Sequence, residues 1–511
     1  MRISLRSSKW FAVIAIAVLG LAALLINSNP ESVTKYPADA IHEEIGATQI
    51  KVMTFNIWIG GSVVDFNKVI EAIKISGADV VGLQESDGNA ARIATLLGWP
   101  FVNESLQIIS KYPLIQPGDG AGLYTYVQIA PGQVFAMSNI HLPSDPYGPY
   151  QIIEGMGLEE VLKSEVATRM PTVNAFIPTW KRLLKEKMPL VITGDFNSPS
   201  HLDWIESTVG ERIANKFAVV WPESKAIEDL GMIDTYRVIF PDPKKVPGIT
   251  WTLGYPYPRI AEDEAVDRID FIWAPKGTKV KTSGIVGPTG GPDVTYGLTP
   301  YPSDHLAVVS TFEINPVEPP AYIAVNKLRY EQGDALIVAY HAPLGDEDSL
   351  VIVKAGSDPL TQAIVSSTPQ EAGYFGALTL GTQTLAVGKY EAALVSAGKV
   401  IQRSGFWVVS KGAVPMVDTD KSRYSHGESI TATWTDTYAR KFDWIGIFSL
   451  KEPGIYYTQL SFYYTKATVN GQVLITTADT AGPLPAGEYE LRYLSDDSYA
   501  VSAAARFTVT K

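Results

Sequence analysis

LVITGDFN, at residues 190–197, is an apolar run that ends in two polar side chains, Asp195 and Asn197. Valine and isoleucine favour β-strands, so the run predicts a buried strand that carries these polar groups at its carboxyl end. Burying a carboxylate or a carboxamide costs free energy and adds nothing to a hydrophobic core. The position therefore indicates a functional site at the end of a strand.

Five further polar strings occur along the chain, and three of them also end β-like runs. In chain order they are Thr54-Phe55-Asn56, Leu83-Gln84-Glu85, Asn139-Ile140-His141-Leu142, Arg268-Ile269-Asp270 and Ser303-Asp304-His305. Carboxylate and amide oxygens are the ligands that a hard divalent cation prefers, and imidazoles transfer protons near neutral pH. The set predicts a site that hydrolyses phosphate esters with the help of a divalent cation.

In this order the strings resemble those of the endonuclease/exonuclease/phosphatase superfamily, the deoxyribonuclease-I-like hydrolases, across residues 48–314. Each string alone could arise by chance, so the resemblance depends on all six occurring in order within one domain-sized span. It implies an α/β fold for residues 48–315: a two-sheet α/β sandwich with helices outside.

Local patterns in this span agree with an α/β fold. Residues 50–85 read as strand, helix and strand, with Asp65 as the N-cap of the helix and Gly77 at its end. Residues 159–187 read as helical but are interrupted by two prolines.

One group of predicted site residues concerns the divalent cation. We expect Glu85 to bind Mg²⁺, or Mn²⁺, through an anionic oxygen, with Asp304 as a further ligand. Asn56 is expected to make a neutral contact to the metal or the phosphate. Few protein ligands and several retained waters are usual for Mg²⁺. Asp304 is also expected to orient His305, as a carboxylate–imidazole pair.

The other group concerns the reacting phosphate. The resemblance gives Asp195 the role of orienting or deprotonating the attacking water, and Asn197 that of stabilising the pentacovalent phosphorus. His141 is expected to bind the phosphoryl group or to protonate the leaving oxygen. Asp270 is expected to serve the metal or a second imidazole.

Each position also has a structural alternative. Asp195 and Asn197 suit an ordinary Asx turn, Glu85 a strand cap, and His141 a satisfied core histidine. Together, these alternatives leave unexplained why two of only six histidines lie in such strings. We expect surface or structural roles for the remaining four, which are His42, His201, His341 and His426.

The net charge of the chain, and two departures from the sequence pattern of one subfamily, narrow the expected class of substrate. The formal net charge is -12, and residues 48–314 hold 22 lysines and arginines against 30 aspartates and glutamates, which disfavours tight nucleic-acid binding. Ser198-Pro199 after Asn197, and the form of the string at 268–270, depart from the inositol-polyphosphate 5-phosphatase pattern. Six aromatic residues near the strings either wall an apolar or sugar-like pocket or pack loops: Trp58, Tyr147, Tyr150, Trp251, Tyr255 and Tyr257.

A proline-rich linker at 316–320 precedes a tail with a different pattern. Short alternating strings recur with a period of roughly 95–100 residues, the size of an immunoglobulin-like domain. We predict two β-sandwiches, at 321–411 and 414–511. The string at 443–448, with Tyr456 and Tyr457, resembles the SKICH type of sandwich, although core packing also explains it. We expect few contacts between the tail and the catalytic domain.

The amino terminus indicates export. Arg2, Arg6 and Lys9 precede an uncharged apolar stretch at 10–26, so residues 1–28 are expected to be a cleaved signal or a membrane anchor, and residues 29–47 a tether. The chain has no cysteine, which excludes disulfides and thiolate chemistry and suits an exported protein, periplasmic or extracellular, that needs no oxidative folding.

The sequence thus predicts an exported, metal-dependent phosphoesterase. Its substrate is expected to be a phosphomonoester or phosphodiester on a small molecule or a lipid head group. The alternatives are a secreted nuclease and a catalytically silent protein that binds a surface. Attachment to a membrane or cell surface through the amino terminus or the sandwiches is expected in either case.

Overall fold

The computed structural model describes residues 46–120, 122–342, 347–369, 374–451, 458–495 and 499–511. The predicted signal or anchor at 1–28 lies outside these residues, as does the tether at 29–47 except for its last two positions. Within the described ranges, no helix is both long and apolar enough to cross a membrane.

The catalytic domain alternates strands and helices. Its thirteen described strands are β1 (Thr48–Asn56), β2 (Val80–Gln84), β3 (Phe101–Asn103), β4 (Ile108–Ser110), β5 (Leu114–Ile115), β6 (Thr125–Ala130), β7 (Gln133–His141), β8 (Leu190–Asp195), β9 (Met232–Asp234), β10 (Asp270–Pro275), β11 (Lys279–Pro288), β12 (Val294–Leu298) and β13 (Ala307–Ile314). The α-helices described here are α1 (Phe66–Ser76), α2 (Ala90–Leu97), α3 (Gly148–Ile153), α4 (Leu158–Thr168), α5 (Met170–Lys185), α6 (Pro222–Glu228) and α7 (Thr235–Ile239). Short 3₁₀ segments occur at Ile59–Gly61, Glu104–Leu106, Gly118–Gly120 and Glu206–Thr208.

The strands form two mixed sheets. The first has the order β12-β11-β13-β1-β2-β4-β3 and the second the order β5-β6-β7-β8-β10-β9. Apolar side chains from both sheets share one buried core, among them Phe55 and Val81 from the first and Phe135 and Val191 from the second. The predicted two-sheet α/β sandwich is confirmed.

Local sequence signals set the ends of the helices. Asp65 caps α1, because its side chain accepts a hydrogen bond from Asn67 N at 2.9 Å, and Gly77 ends it with a φ of 69° that favours glycine. The helical region predicted at 159–187 is two helices, α4 and α5, that meet at Arg169, with one proline in the first turn of α5.

The tail consists of all-β units, as predicted. Residues 320–412 form a unit of their own, whereas residues 413–511 belong to one compact unit with residues 44–319. The strands of the first sandwich are β14 (Tyr322–Val325), β15 (Arg329–Glu331), β16 (Ala335–Ala342), β17 (Asp348–Lys354), β18 (Val365–Ser367), β19 (Tyr374–Gly381), β20 (Gly388–Ser396) and β21 (Lys399–Val409). Those of the second are β22 (Met416–Thr419), β23 (Arg423–Ser425), β24 (Ile430–Thr435), β25 (Trp444–Ser449), β26 (Tyr463–Tyr464), β27 (Gly471–Ile475), β28 (Gly487–Leu494) and β29 (Val501–Thr510).

The two sandwiches share one topology. The first has sheets β14-β16-β19 and β15-β21-β20-β17-β18, and the second has β22-β24-β27 and β23-β29-β28-β25-β26, which is the same arrangement strand for strand. Equivalent tyrosines also make equivalent bonds: Tyr330 Oη donates to Asn326 Oδ1, and Tyr424 Oη to Asp420 Oδ1, each at 2.6 Å. The internal repeat seen in the sequence is therefore a repeated fold.

The SKICH-like string at 443–448 forms the start of β25. Trp444, Ile445 and Phe448 are all buried, so packing accounts for these residues. Tyr456 and Tyr457, which contribute to that likeness, lie outside the described residues.

The second sandwich contacts the catalytic domain directly. Arg440 Nη2 lies 2.7 Å from Glu104 Oε2, and Lys441 Nζ lies 4.2 Å from the centre of the Phe176 ring. The expectation of few contacts between the tail and the catalytic domain is therefore wrong for this sandwich. Single charged side chains on loops give no sequence pattern that predicts such a contact.

Candidate active site

Polar side chains from four strand ends meet at one edge of the two sheets. β1 ends at Asn56, β7 at His141 and β8 at Asp195, and Glu85 directly follows β2. β1 and β2 pair in parallel, as do β7 and β8, with His141 beside Asp195. The carboxyl ends of these strands therefore coincide, as the polar strings predicted.

Asp195 is fully buried at the centre of this cluster. Its Oδ2 accepts a hydrogen bond from Asn56 Nδ2 at 2.9 Å and lies 3.6 Å from Nε2 of both His141 and His305. Its Oδ1 accepts from Asn197 N at 2.8 Å, which is the Asx turn that the sequence allowed. The turn and the site coexist, because each uses a different carboxylate oxygen.

His305 lies between two carboxylates. Its Nδ1 donates to Asp270 Oδ2 at 3.0 Å, and its Nε2 faces Asp195. Asp270 begins β10 and stands opposite Asp195 in antiparallel register. Burial disfavours a charged imidazole, but Asp270 and Asp195 outweigh it, so the pKa of His305 is raised well above its ordinary value. The two carboxylates thus favour the charged form of this imidazole.

The expectation that Asp304 orients His305 is wrong, because Asp270 makes the carboxylate bond to the ring, at Nδ1; Asp304 contributes only a smaller charge effect that raises the pKa of His305. Asp304 Oδ2 instead accepts a hydrogen bond from Trp251 Nε1 at 3.3 Å. Burial is the main cause that raises the pKa of Asp304 to about 6; His305 opposes this rise and Glu85 adds to it. Asp304 thus faces Glu85 as well as the imidazole.

Both carboxylate oxygens of Glu85 are anchored. Oε2 accepts from Ile59 N at 2.9 Å and Oε1 from Asn56 Nδ2 at 3.1 Å. A φ of 53° at Glu85, uncommon for a residue other than glycine, turns the chain here. Asn56 Oδ1 accepts from Trp58 N at 3.0 Å, so the carboxamide presents its NH₂ group to the site. In this orientation Asn56 is better suited to donate a hydrogen bond to an anion than to bind the metal as predicted.

Two sets of side chains suit a divalent cation. Among the described residues, ligand atoms of Asp195, Asp270 and His305 lie within 4.8 Å of one another. His305 already hydrogen-bonds to Asp270 in that set. The charge of Glu85 adds to the raised pKa of Asp304, so these two carboxylates repel each other, and hard oxygen donors of this kind fit Mg²⁺ or Mn²⁺.

His141 and Asn197 lie on the side of Asp195 that is away from Asp270, because β7 and β10 flank β8 on its two edges. Asn197 Nδ2 donates to Leu142 O at 3.0 Å and lies 3.2 Å from His141 Nε2. The side chain of His141 is 15% exposed, against 6% for His305. His141 is thus the more accessible of the two imidazoles.

Sequence reasoning gave no role to the polar layer beneath the site. Asn139 Oδ1 accepts from Gln84 Nε2 at 2.7 Å and from Thr193 Oγ1 at 2.9 Å, which joins strands of both sheets. A Cβ at Gly82 would lie 2.3 Å from Thr193 Oγ1, so only glycine allows this close approach. Asn139 and Gln84 lie within the polar strings, and their alternation with apolar residues on buried strands was the available signal.

Two hydroxyl groups that the sequence analysis did not select also fix the site. Ser303 Oγ donates to Asn56 O at 2.8 Å and accepts from His305 N at 3.1 Å. Thr250 Oγ1 accepts from Asp270 N at 3.1 Å. The Ser303 bonds tie the loop that carries His305 to the end of β1, and the Thr250 bond holds the start of β10, where Asp270 lies.

The aromatic residues divide between the two alternatives that the sequence left open. Tyr147 is buried and its Oη donates to Asp267 Oδ2 at 3.2 Å, which is loop packing. A line of rings runs from His305 outward through Trp251, Tyr255 and Trp58, with centroids 6.2–6.3 Å apart and Tyr255 38% exposed. We call these three residues the aromatic wall.

The remaining histidines agree with structural roles where they are described. His201 contacts Ser224 and Glu228, and burial lowers its pKa. His341 is buried, and His426 Nδ1 lies 3.1 Å from Leu484 O. His42 lies outside the described residues.

Comparison with known proteins gives the family. The family model described as "Endonuclease/Exonuclease/phosphatase family" matches residues 53–305. The uncharacterized protein F14F9.5 of Caenorhabditis elegans is similar, at 32% identity over 295 residues that cover 52% of this chain and 91% of that protein. Among solved structures, D. rerio TDP2 complexed with single-strand DNA product is similar at 13% identity. The match covers 52% of this chain and 100% of the TDP2 chain, with a TM-score of 0.32. The two-domain structure DIP-gamma IG1+IG2 is 13% identical, with coverages of 38% and 97% and a TM-score of 0.17. The chain belongs to the endonuclease/exonuclease/phosphatase family, which acts on phosphoester substrates.

Proposed function

We propose that the protein is a divalent-metal-dependent phosphoesterase that hydrolyses its substrate by attack of water. The observation that carries this proposal is the buried line of Asp270, His305 and Asp195, with Glu85 and Asp304 beside it. A catalytically silent protein is free to lose such a costly arrangement of buried charges, so its presence supports an enzyme.

The cation site comprises Glu85 and Asp304, and bound Mg²⁺ or Mn²⁺ supplies charge neutralisation on the phosphoryl oxygens. His305, bonded at Nδ1 to Asp270, donates from Nε2 to a phosphoryl oxygen. Asn56 Nδ2 donates to both Glu85 and Asp195 and so holds the metal ligand and the base together. The negative charge that develops on phosphorus is thereby met by fixed donors in a buried site.

The attacking water is oriented by Asp195, whose Oδ2 takes its proton. Asn197 Nδ2 donates to the pentacovalent phosphorus group. His141 is the accessible imidazole and protonates the leaving oxygen, after which it is reprotonated from solvent. In these roles the base, Asp195 Oδ2, and the acid, His141 Nε2, lie 3.6 Å apart.

We propose a small molecule or a lipid head group as the substrate, ahead of nucleic acid. Four arginines of the catalytic domain are committed to buried carboxylates: Arg169 to Glu165, Arg212 to Asp267, Arg237 to Asp203, and Arg268 to both Asp203 and Asp234. These guanidinium groups do not form a track for a polyphosphate backbone. The aromatic wall instead offers an apolar face beside the phosphate position.

The substrate test uses the purified full-length chain with Mg²⁺ on four substrates: single-stranded DNA, a sugar phosphate, a phosphoinositide and sphingomyelin. Faster turnover of one of the last three than of DNA is expected. Turnover of DNA alone would favour the nuclease alternative. Turnover of none, together with none on chromogenic mono- and diesters, would favour the silent binding protein.

The aromatic wall has its own test with aryl and alkyl phosphodiesters. Trp58→Ala should raise KM for the aryl ester several-fold with little change in kcat, because stacking holds the substrate without touching the reacting atoms. Tyr257→Ala is the matched control, since Tyr257 is 40% exposed on the same loop as Tyr255 but is not part of the wall. Equal effects of both variants would remove the wall from substrate binding.

We also propose that the protein is exported and attached to a membrane or cell surface, through the amino terminus or the sandwiches. The charged and then apolar sequence at 1–28 supports export. Fractionation of expressing cells, with immunodetection and amino-terminal sequencing of the mature protein, tests this. Recovery of the unprocessed chain in the soluble cytosolic fraction would contradict it.

A further inference from the structure

The segment 438–442 of the second sandwich, here called the docking segment, lies against the catalytic domain. Arg440 donates from Nε and Nη2 to Glu104 Oε2 at 2.9 and 2.7 Å. Lys441 Nζ lies 4.2 Å from the centre of the Phe176 ring on α5. Burial lowers the pKa of the Lys441 amine to about 7.

Two glycines of the catalytic domain allow this close approach. A Cβ at Gly88 would lie 3.3 Å from Arg440 Nη1, and a Cβ at Gly122 would lie 3.1 Å from Lys441 Cδ. Both glycines have a positive φ, 75° and 67°. The docking segment is therefore fitted to two turns of the domain in addition to the ion pair.

The docking segment is itself held firmly by its own sandwich. Asp443 is fully buried, and its Oδ2 accepts from Arg440 N at 2.9 Å and from Tyr493 Oη at 2.5 Å. Tyr493 Oη also accepts from Tyr438 N at 3.1 Å. These bonds fix the backbone on both sides of Arg440, so the guanidinium is presented from a rigid base.

The first sandwich lacks this basic pair in its sequence. The repeat places Asp348 at the position of Asp443, so Gly345 and Asp346 correspond to Arg440 and Lys441. A basic pair that the sequence of only one of the two repeats carries points to a task specific to that copy.

Glu104 is connected through hydrogen bonds of Gln107 to the loop that carries Glu85. Glu104 opens a short 3₁₀ turn, and its carbonyl accepts from Gln107 N at 3.2 Å. Gln107 is buried; its Oε1 accepts from Ser86 N at 3.0 Å and its carbonyl from Leu83 N at 2.9 Å. Gln107 thus bonds the chain on both sides of Glu85.

We propose that Arg440 and Lys441 are positioning residues, through which the second sandwich holds the loop that carries Glu85. Arg440 restrains this loop in two ways. It bonds to Glu104, which connects to the loop through Gln107, and its guanidinium lies against Gly88 of the loop itself. A partly exposed ion pair contributes little to global stability. The effect of Arg440 is therefore expected in the local opening of residues 84–89 and not in the unfolding of the protein.

The test is charge reversal in the full-length chain, read by hydrogen exchange of peptides that cover residues 83–89 and 104–107. Arg440→Glu should speed exchange in both peptides about tenfold, and adding Glu104→Arg should restore most of the protection. Arg506→Glu is the control, since Arg506 pairs with Glu490 within the same sandwich and the charge change is identical. Exchange needs neither metal nor substrate, so this result is independent of the proposed function.

Unchanged exchange in Arg440→Glu would overturn the proposal. So would faster exchange that Glu104→Arg does not reverse, or that Arg506→Glu reproduces. A second readout is turnover of a chromogenic phosphodiester: Arg440→Glu should lower kcat several-fold and the double variant should recover it. Faster exchange with unchanged turnover would overturn the positioning role.

Discussion

Replacement of Asp270 by asparagine tests the arrangement around His305. The Oδ2 of Asp270 lies 3.0 Å from His305 Nδ1, and both side chains are buried. Removing one partner of such a pair leaves an uncompensated buried charge, which costs about 3–5 kcal/mol. At about 1.4 kcal/mol for each tenfold change in rate, kcat falls by roughly 10²–10⁴-fold if the whole cost is felt in the transition state.

The assay is kcat on a chromogenic phosphodiester at saturating Mg²⁺, with circular dichroism to verify folding. Asp304→Asn is the matched control, because Asp304 hydrogen-bonds to Trp251 and not to His305 Nδ1. That variant should raise the Mg²⁺ concentration for half-maximal activity and affect kcat less. A folded Asp270→Asn enzyme within about threefold of wild-type kcat, or a larger kcat loss in Asp304→Asn, would refute the assignment.

Three further predictions concern the reaction, the buried charges and the core. His305→Ala and Asp195→Ala should each lower kcat by roughly 100-fold or more in a folded protein, and near-normal turnover would remove that residue from the mechanism. Burial, with Arg169 opposing it, raises the pKa of Glu165 to about 8. The stability that protonated Glu165 contributes is therefore complete below the pKa of the unfolded state and is lost as pH rises through 8. Urea unfolding should show the free energy of unfolding falling from pH 5 to 9, with a flatter profile in Glu165→Gln. Gly82→Ala should cost about 1–3 kcal/mol by overpacking against Thr193, measured by thermal unfolding, and an unchanged Tm would contradict the packing described.

Strand ends and helix caps could be predicted because their signals are local. Asp65 and Gly77 bound α1 through bonds within a few residues of themselves, and the polar strand ends meet because parallel pairing aligns them. The repeated sandwiches were likewise visible as a period in the sequence. These features follow from the short-range pattern of the chain.

Contacts between distant segments could not be predicted in this way. Asp304 is adjacent to His305 in the chain, yet Asp270, 35 residues away, bonds its Nδ1, because antiparallel pairing of β10 with β8 brings Asp270 there. Arg440 and Glu104 are 336 residues apart and lie on loops without periodicity. Sequence reasoning thus selected the charged groups of the site but not the partner of each.

Glu85 and its neighbours are proposed to hold a divalent cation that phosphoester hydrolysis requires. The direct measurement is turnover of bis(p-nitrophenyl) phosphate and p-nitrophenyl phosphate by the full-length chain in excess chelator, followed by titration with Mg²⁺ or Mn²⁺, in wild type and Glu85→Gln. We predict that activity disappears with the chelator, returns with either cation, and needs a markedly higher cation concentration in the variant. Full activity in excess chelator, or an identical titration curve for Glu85→Gln, would contradict the account.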